Sequence, residues 1–291
     1  MDAEKCRILI DALDYGSISE AARNIGYTPS GISKAISTLE KDAGFPLIMR
    51  SHGGIEPTAE CTLLLPLLRE LVSTIDKIDQ TAAGIKGIEI GTLKIGSSYN
   101  IYYRWLTEKV AEFFADHPGI KVDAFSDVSA KLKEALDNHQ MDACIMSRRD
   151  GNHEWIHLKW DQLVVLVPKN HPYTARGSFP LKALASEPYI QIYAGHETDN
   201  SIMLERNNIK PRIQFTCADA NAAIPIIEAG LGVCIVNELI ADGLESENIV
   251  PLPIHPQQLV DIGIAIPETA ATSPLIKSFV DYLLTKTEEI M

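Results

Sequence analysis

Two groups of side chains in this chain are spaced so that they could do chemistry, and a third is missing. The first group is small, polar and part-basic: Ser30, Ser33, Lys34, Ser37 and, further on, Arg50. Hydroxyls and single cations on one side of a helix suit phosphate and base-edge contacts in the major groove of duplex DNA. Bulky or acidic residues there would clash with bases or repel phosphates. The second group is a set of donors, each standing just after an apolar run: Ser97, Ser98, Tyr99 and Asn100, then Ser129, then Ser147. Where a strand passes into a helix N-terminus, such side chains converge with free backbone N–H groups, which suits a carboxylate. Tyr99 suits an aromatic or amphipathic molecule equally well. For each serine taken singly, plain helix capping is the competing reading. The missing group is catalytic. The histidines are spread along the chain, and there is no G-x-S-x-G, P-loop or G-x-G-x-x-G. Nothing here asks for an enzyme, a metal or a cofactor.

The elements that must carry the first group are legible locally. Ser17 is a candidate N-cap with Glu20 three residues on, and Ala21, Ala22 and Ile25 share a face. Gly26 stands where a helix ends in a left-handed residue. Thr28 then caps a second helix with Pro29 in its first turn, and Ile32, Ala35, Ile36 and Leu39 form its inward stripe. Ser30, Ser33, Lys34, Ser37 and Lys41 fall on the other side. Any helical hairpin can show these features, so on the hairpin alone DNA binding and ordinary packing both stay open. A first helix over Cys6–Leu13 covers the pair. The run Phe45–Met49, a turn through Arg50, His52 and Gly53-Gly54, and Ile55 predict a two-stranded wing, with Arg50 and His52 near its tip. Arg50 could instead pair with Glu40 or Asp42.

From residue 58 to about 86 the period changes. Leu64, Leu68, Leu71, Ile75, Ile78, Ala82 and Ile85 alternate spacings of four and three, the seam of a coiled coil that needs a second copy. Pro66 lies inside this helix, and Gly84, Gly87 and Gly91 punctuate a hinge after it. Beyond Thr92, strand and helix patterns alternate to the C-terminus, which predicts parallel sheets covered on both faces. HLKWDQLVVLVP reads as a crossover between two such units, and a cleft between two α/β lobes is a natural small-molecule site.

The formal net charge of -13 is unusual for a DNA binder. Within residues 1–58, six basic side chains face eight acidic ones, so no bulk positive field exists even there. Binding must come from a few placed cations and helix N-termini, and a single copy would bind weakly. A dimer is therefore expected. The five cysteines are odd in number and widely spaced, as buried thiols of a reducing compartment would be. No signal peptide and no membrane-spanning apolar run is present, so a cytoplasmic location is expected.

Taken in order, Gly16-Ser17-Ile18-Ser19, Ala21-Ala22, Ile32-Ser33-Lys34, Leu39-Glu40, Gly44, Leu47, Arg50 and Thr58 resemble the LysR-type transcriptional regulators. Ile95-Gly96, Met141-Asp142-Ala143 and Ala229-Gly230-Leu231-Gly232 extend the resemblance, more weakly, to the rest of the chain. The sequence departs from the family pattern at Pro29-Ser30-Gly31, at Ile48, and at Lys34, where an arginine is common. The resemblance implies an α/β protein with an N-terminal winged helix-turn-helix over 1–58 and a long dimerising linker helix over 59–87. It implies a two-lobed, periplasmic-binding-protein-like effector domain over 88–291, with lobe one at 91–160 plus 268–291 and lobe two at 161–267. If the lobes face each other as in the family, Tyr193, His196 and Thr198 join Ser97, Ser98, Tyr99, Asn100, Ser129 and Ser147 around the effector. The function implied is a DNA-binding transcriptional regulator controlled by a small effector, a carboxylate or an aromatic compound. Its partners would be double-stranded DNA, a second copy through the linker, two further copies in a homotetramer, and RNA polymerase. The alternative is a small-molecule-binding protein of the same architecture that has lost DNA binding.

Overall fold

In the computed structural model the described residues are 1–51, 54–85, 90–244, 246–268 and 274–286, with only the backbone described at 51, 100–104, 114 and 116. Three helices open the chain: α1 (Ala3–Asp14), α2 (Ile18–Ile25) and α3 (Pro29–Ala43). Ser17 caps α2 by accepting from the Glu20 N–H, and Thr28 caps α3 by accepting from the Gly31 N–H at 3.1 Å. Gly26 and Gly44 end the two helices in the left-handed region. Ile32, Ala35, Ile36 and Leu39 pack with Leu9, Ala21 and Leu47 in one small core. β1 (Ile48–Ser51) and β2 (Gly54–Pro57) form the antiparallel wing, with Arg50 opposite Ile55. Gly54 has φ +131, and a Cβ there would lie 2.1 Å from the Gly16 carbonyl oxygen. That close approach lets the Ile55 N–H reach the same carbonyl at 2.9 Å, seating the wing on the α1–α2 turn. Residues 52–53, including the predicted tip residue His52, lie outside the described residues.

Thr58 Oγ1 accepts the Cys61 N–H at 3.0 Å and so starts α4 (Ala59–Ile85), which runs unbroken through Pro66. Arg69 donates to Asp14 at 2.7 Å, and Arg7 donates to Asp76 at 3.1 Å, so α4 is tied to α1 along its length. The packing corrects the seam expected from the sequence. Leu68 is buried and Leu64 half-buried against the winged core, along with Cys61, Leu65 and Val72. The open stripe is Leu63, Leu67, Leu71, Ile78 and Ile85, with Leu63 79% and Ile85 83% exposed. Spacing alone does not register that α1 covers one flank.

The remaining elements build two lobes on one eight-stranded sheet and a smaller two-stranded one. They are β3 (Gly91–Ser97), α5 (Asn100–Asp116), β4 (Ile120–Ser126), α6 (Ser129–Asp137), β5 (Ala143–Ser147) and β6 (His153–Pro168). After these come β7 (Phe179–Pro180), β8 (Pro188–Ile192), α7 (Asp199–Arg206), β9 (Arg212–Cys217), α8 (Ala220–Glu228) and β10 (Cys234–Asn237). The chain closes with α9 (Glu238–Asp242), β11 (Ile249–His255), β12 (Leu259–Pro267) and α10 (Pro274–Thr285). The large sheet has the order β4-β3-β5-β12-β6-β11-β7, with β10 also on β6, and β8 pairs β9 separately.

The expectation of purely parallel sheets is corrected. β3 is parallel to β4 and β5, and β8 to β9, but β12 runs antiparallel to both β5 and β6, and β10 and β11 run antiparallel to β6. What reads as a crossover is one sixteen-residue strand: the first part of β6 pairs with β12 and its apolar end with β10 and β11. The sequence-based lobe boundary also moves. Ile262, Ile264 and Ile266 of β12 share the core of Leu93, Ile95, Ile145 and Phe279, so β12 belongs with lobe one rather than lobe two. Among the described residues no helix is long and apolar enough to cross a membrane.

Candidate functional site

Two surfaces carry the side chains singled out by sequence. On α3 the inward stripe fixes the outward one by helical period. Lys34, Ser30 and Ser37 are exposed, and Ser33 is half-buried at the edge of the same face. The Ser30 hydroxyl lies 3.1 Å from Thr28 Oγ1, so it takes part in the local cap while facing outward. Arg50 is exposed on β1. Glu40 accepts the Leu47 N–H at 2.9 Å, and Asp42 faces the N-terminal amine at 3.8 Å, so neither holds Arg50. The Glu40 bond also couples the wing to α3, fixing Arg50 relative to Lys34.

The second surface is a cleft of about 280 Å³ between the lobes. Lobe one contributes strand ends and helix starts. Ser98 and Ser129 line the cleft, with their hydroxyls 3.0 Å apart. Ser147, fully buried at the end of β5, sits behind them, 2.9 Å from the Ser129 hydroxyl. Tyr99 is buried with its hydroxyl at the cleft wall; burial, and then the nearby Asp199 carboxylate, push its phenol well above the usual range. Lobe two contributes Ile192, Tyr193, His196 and Thr198, and Val236, Asn237 and Ile240 complete the lining.

The side chains of the sequence-derived set do not all take the expected part. Ser97 is turned inward, donating to the Tyr99 carbonyl at 3.1 Å, and is fully buried. It shapes the β3–α5 turn and does not face the cleft. Asn100 opens α5, but its side chain lies outside the described residues. Thr198 lines the cleft, yet its hydroxyl accepts the Ser201 N–H in a reciprocal capping box. Tyr193 adopts a left-handed φ of 52° at the end of β8, and His196 is exposed at the rim.

Three residues of the site were not singled out. Asp199, the first residue of α7, lies at the centre. Its Oδ1 accepts from Ser147 Oγ at 2.6 Å and from Arg149 at 2.9 Å, and its Oδ2 accepts from the Tyr99 hydroxyl at 3.0 Å. Arg149 also donates to Ser147 Oγ at 2.8 Å and pairs with Glu197 at 3.3 Å. Asn237 donates to the Tyr99 hydroxyl at 3.5 Å. Arg149 stands two places after Ser147, on the same side of an extended chain, which is a usable local signal. Asp199 gives only the signal of an acid in a first helical turn. Behind Asn237, Asp161 on β6 is buried with one carboxylate oxygen unpaired, and burial raises its pKa to about 6.

The cysteines have no part in either surface. Cys6, Cys61, Cys144 and Cys234 are buried and Cys217 half-buried, and burial pushes the Cys61 thiol up to about 11 and that of Cys144 to about 12. So little thiolate is a poor start for redox sensing.

Comparison with known proteins places each surface inside a matched family segment. The family model described as "Bacterial regulatory helix-turn-helix protein, lysR family" matches residues 3–62, and the one described as "LysR substrate binding domain" matches residues 86–288. The chain is 27% identical over 283 residues to the uncharacterized HTH-type transcriptional regulator YvbU of Bacillus subtilis (strain 168), covering 97% of each. A full-length OxyR variant of Pseudomonas aeruginosa has the same fold at a TM-score of 0.76 and 17% identity, covering 97% of this chain and 94% of that one. Full-length CbnR, solved in complex with its target DNA, superposes at 0.59 with 21% identity, covering 97% and 98%. With a helix-turn-helix at one end and a small-molecule-binding unit over most of the rest, the chain belongs to the LysR family of transcriptional regulators.

Proposed function

We propose that α3 reads double-stranded DNA through Ser33 and Lys34, supported by Ser30 and Ser37, while Arg50 on the wing holds a flanking phosphate. The observation that carries this reading is the open outer face of α3 above a fully covered inner one. Two copies act together: the exposed stripe Leu63, Leu67, Leu71, Ile78 and Ile85 is the seam for a homodimer, and effector domains extend it to a homotetramer. Pairing offsets the weak field of a domain with few cations. The protein acts in the cytoplasm on its operator and, through it, on RNA polymerase.

The cleft between the lobes takes the effector. Ser98, backed by Ser129, offers a polar contact beside the Tyr99–Asp199 bond, and Tyr193, Ile192, Val236 and Ile240 offer an apolar wall. A cleft of this size suits a small molecule. Lobe motion about β6, which pairs with β12 at its start and with β10 and β11 at its end, is the route by which occupancy reaches the linker. A gel shift with DNA upstream of the chain's own gene tests the reading. Retarded bands that change with effector are expected; a failure of the dimer to retard any upstream fragment overturns it.

A further inference from the structure

One relationship in the cleft is unlike plain lobe packing. Asp199 belongs to lobe two, where its helix is anchored by Met203 and Leu204 in that lobe's core. All three groups that donate to its carboxylate belong to lobe one: the Ser147 hydroxyl at 2.6 Å, the Arg149 guanidinium at 2.9 Å and the Tyr99 hydroxyl at 3.0 Å. A hydroxyl, a phenol and a guanidinium converging on two oxygens are the donor set of a carboxylate receptor. Here the carboxylate is supplied by the chain itself. Its side chain is only 11% exposed and that of Arg149 only 8%, so the pairing is held out of water, where an unmet charge is costly.

We infer that Asp199 is the built-in occupant of an anion subsite, and that the effector of this cleft is consequently uncharged or cationic rather than a free carboxylate. This rests on the reading of the cleft as the effector site. Two arguments lead there. A tethered group competes at an effective concentration of about millimolar or more even on a flexible linker, and higher when it is held by a packed helix. A free monocarboxylate must beat that concentration to reach the same donors. The charge left over has the wrong sign for an anion as well. The cleft wall carries Asp127, Glu197 and Asp199 against the single guanidinium of Arg149, which already faces two of them. What remains for an effector is the Ser98 hydroxyl, the Asp127 carboxylate and the apolar wall around Tyr193, because Ser129 is buried, donating to Ser98 and accepting the Ser147 N–H at 3.2 Å. That set matches an amine or a neutral hydroxylated molecule.

The test uses the full chain and simple probes. Sodium formate and sodium acetate are titrated, against sodium chloride at equal ionic strength, into the wild type, Asp199→Ala, and Asp199→Ala combined with Ser147→Ala, following the thermal midpoint. The wild type should not respond beyond the chloride control. Asp199→Ala should melt lower and regain its midpoint saturably with formate, and the added Ser147→Ala should abolish the regain. Formate stabilising the wild type as strongly as the variant, or a folded Asp199→Ala that ignores formate, overturns the proposal. If Asp199→Ala does not fold, amide shifts of Ser98 and Ser129 in the wild type decide it: saturable shifts with acetate refute the inference, and their absence together with shifts from a small amine supports it. The formate response depends on the donors alone. It therefore survives even if no compound is ever found that binds the wild-type cleft, which is how failure of the effector reading would show itself.

Discussion

The Tyr99 hydroxyl donates to Asp199 Oδ2 at 3.0 Å, joining residues 100 positions apart and one lobe to the other. Among the described residues this is one of a small cluster of bonds that cross the cleft, with those of Ser147 and Arg149, so it weighs on how readily the lobes separate. Tyr99→Phe removes a donor to a charged acceptor in a largely dry site, a loss of about 1.5–3 kcal/mol. The expected result is an effector domain that unfolds at lower denaturant while the helix-turn-helix transition is unmoved. Two probes are required, because a chain with several separate cores need not unfold in one step. An unchanged effector-domain midpoint would show that this bond holds nothing.

The exposed stripe of α4 gives the second prediction. Leu67 is 61% exposed on this helix, and burying a leucine contributes about 1.5–3 kcal/mol per copy. Leu67→Glu should shift the protein from dimer to monomer in light scattering at micromolar concentration. Leu68→Glu, directed into the winged core, should instead unfold the N-terminal domain. A folded Leu68→Glu that dissociates, beside a Leu67→Glu that stays dimeric, would mean the seam runs as the heptad count suggested.

The third concerns pH. Burial raises the Asp161 carboxyl to about 6 from an unfolded value near 3.8. A raised carboxyl binds its proton more tightly in the folded chain, so its charged form costs stability above pH 6, and that cost is relieved as pH falls from 6 towards 4. The whole effect is at most about 3 kcal/mol. Asp161→Asn should stabilise the effector domain at pH 8 and flatten its stability between pH 6 and 4. A pH profile identical to that of the wild type would contradict this.

How much of this was legible in the sequence depends on how local the cause is. The helical hairpin and wing follow from caps, two glycines and a 3.6-residue stripe within forty residues, and the structure has them where the sequence puts them. The donors Ser98, Ser129 and Ser147 were legible as strand-end residues. The engagement of Ser147 by Asp199 was not, since Asp199 meets Ser147 and Arg149 across 52 and 50 positions and neither Arg149 nor Asp199 carries a motif. Ser97 shows the opposite failure, because one step along the strand turns a hydroxyl from the cleft to the core. The linker seam differs from the heptad count at its start, where α1 already covers Leu68 and the core takes Leu64, while Leu71, Ile78 and Ile85 lie on the open stripe as the count has them. The length of β6 was hidden for a similar reason: its first half alternates while its second half is uniformly apolar, and only pairing with β12 on one side and β10 on the other makes them one strand.

Arg50 gives the fourth prediction. It is held near α3 by the wing, and Glu40 sets that geometry through the Leu47 N–H. Arg50→Ala should weaken operator and non-operator DNA alike, as loss of a phosphate contact does. Weakening confined to the operator would instead make Arg50 a base reader.

The central claim is that the exposed face of α3 meets DNA, and Lys34 is its most direct witness. The measurement is operator affinity against salt concentration for the wild type and Lys34→Ala, with both confirmed as dimers. A log–log slope shallower by about one for each copy's lost phosphate contact, together with weaker binding at low salt, is the result expected. Superposable titrations for the two proteins would contradict it.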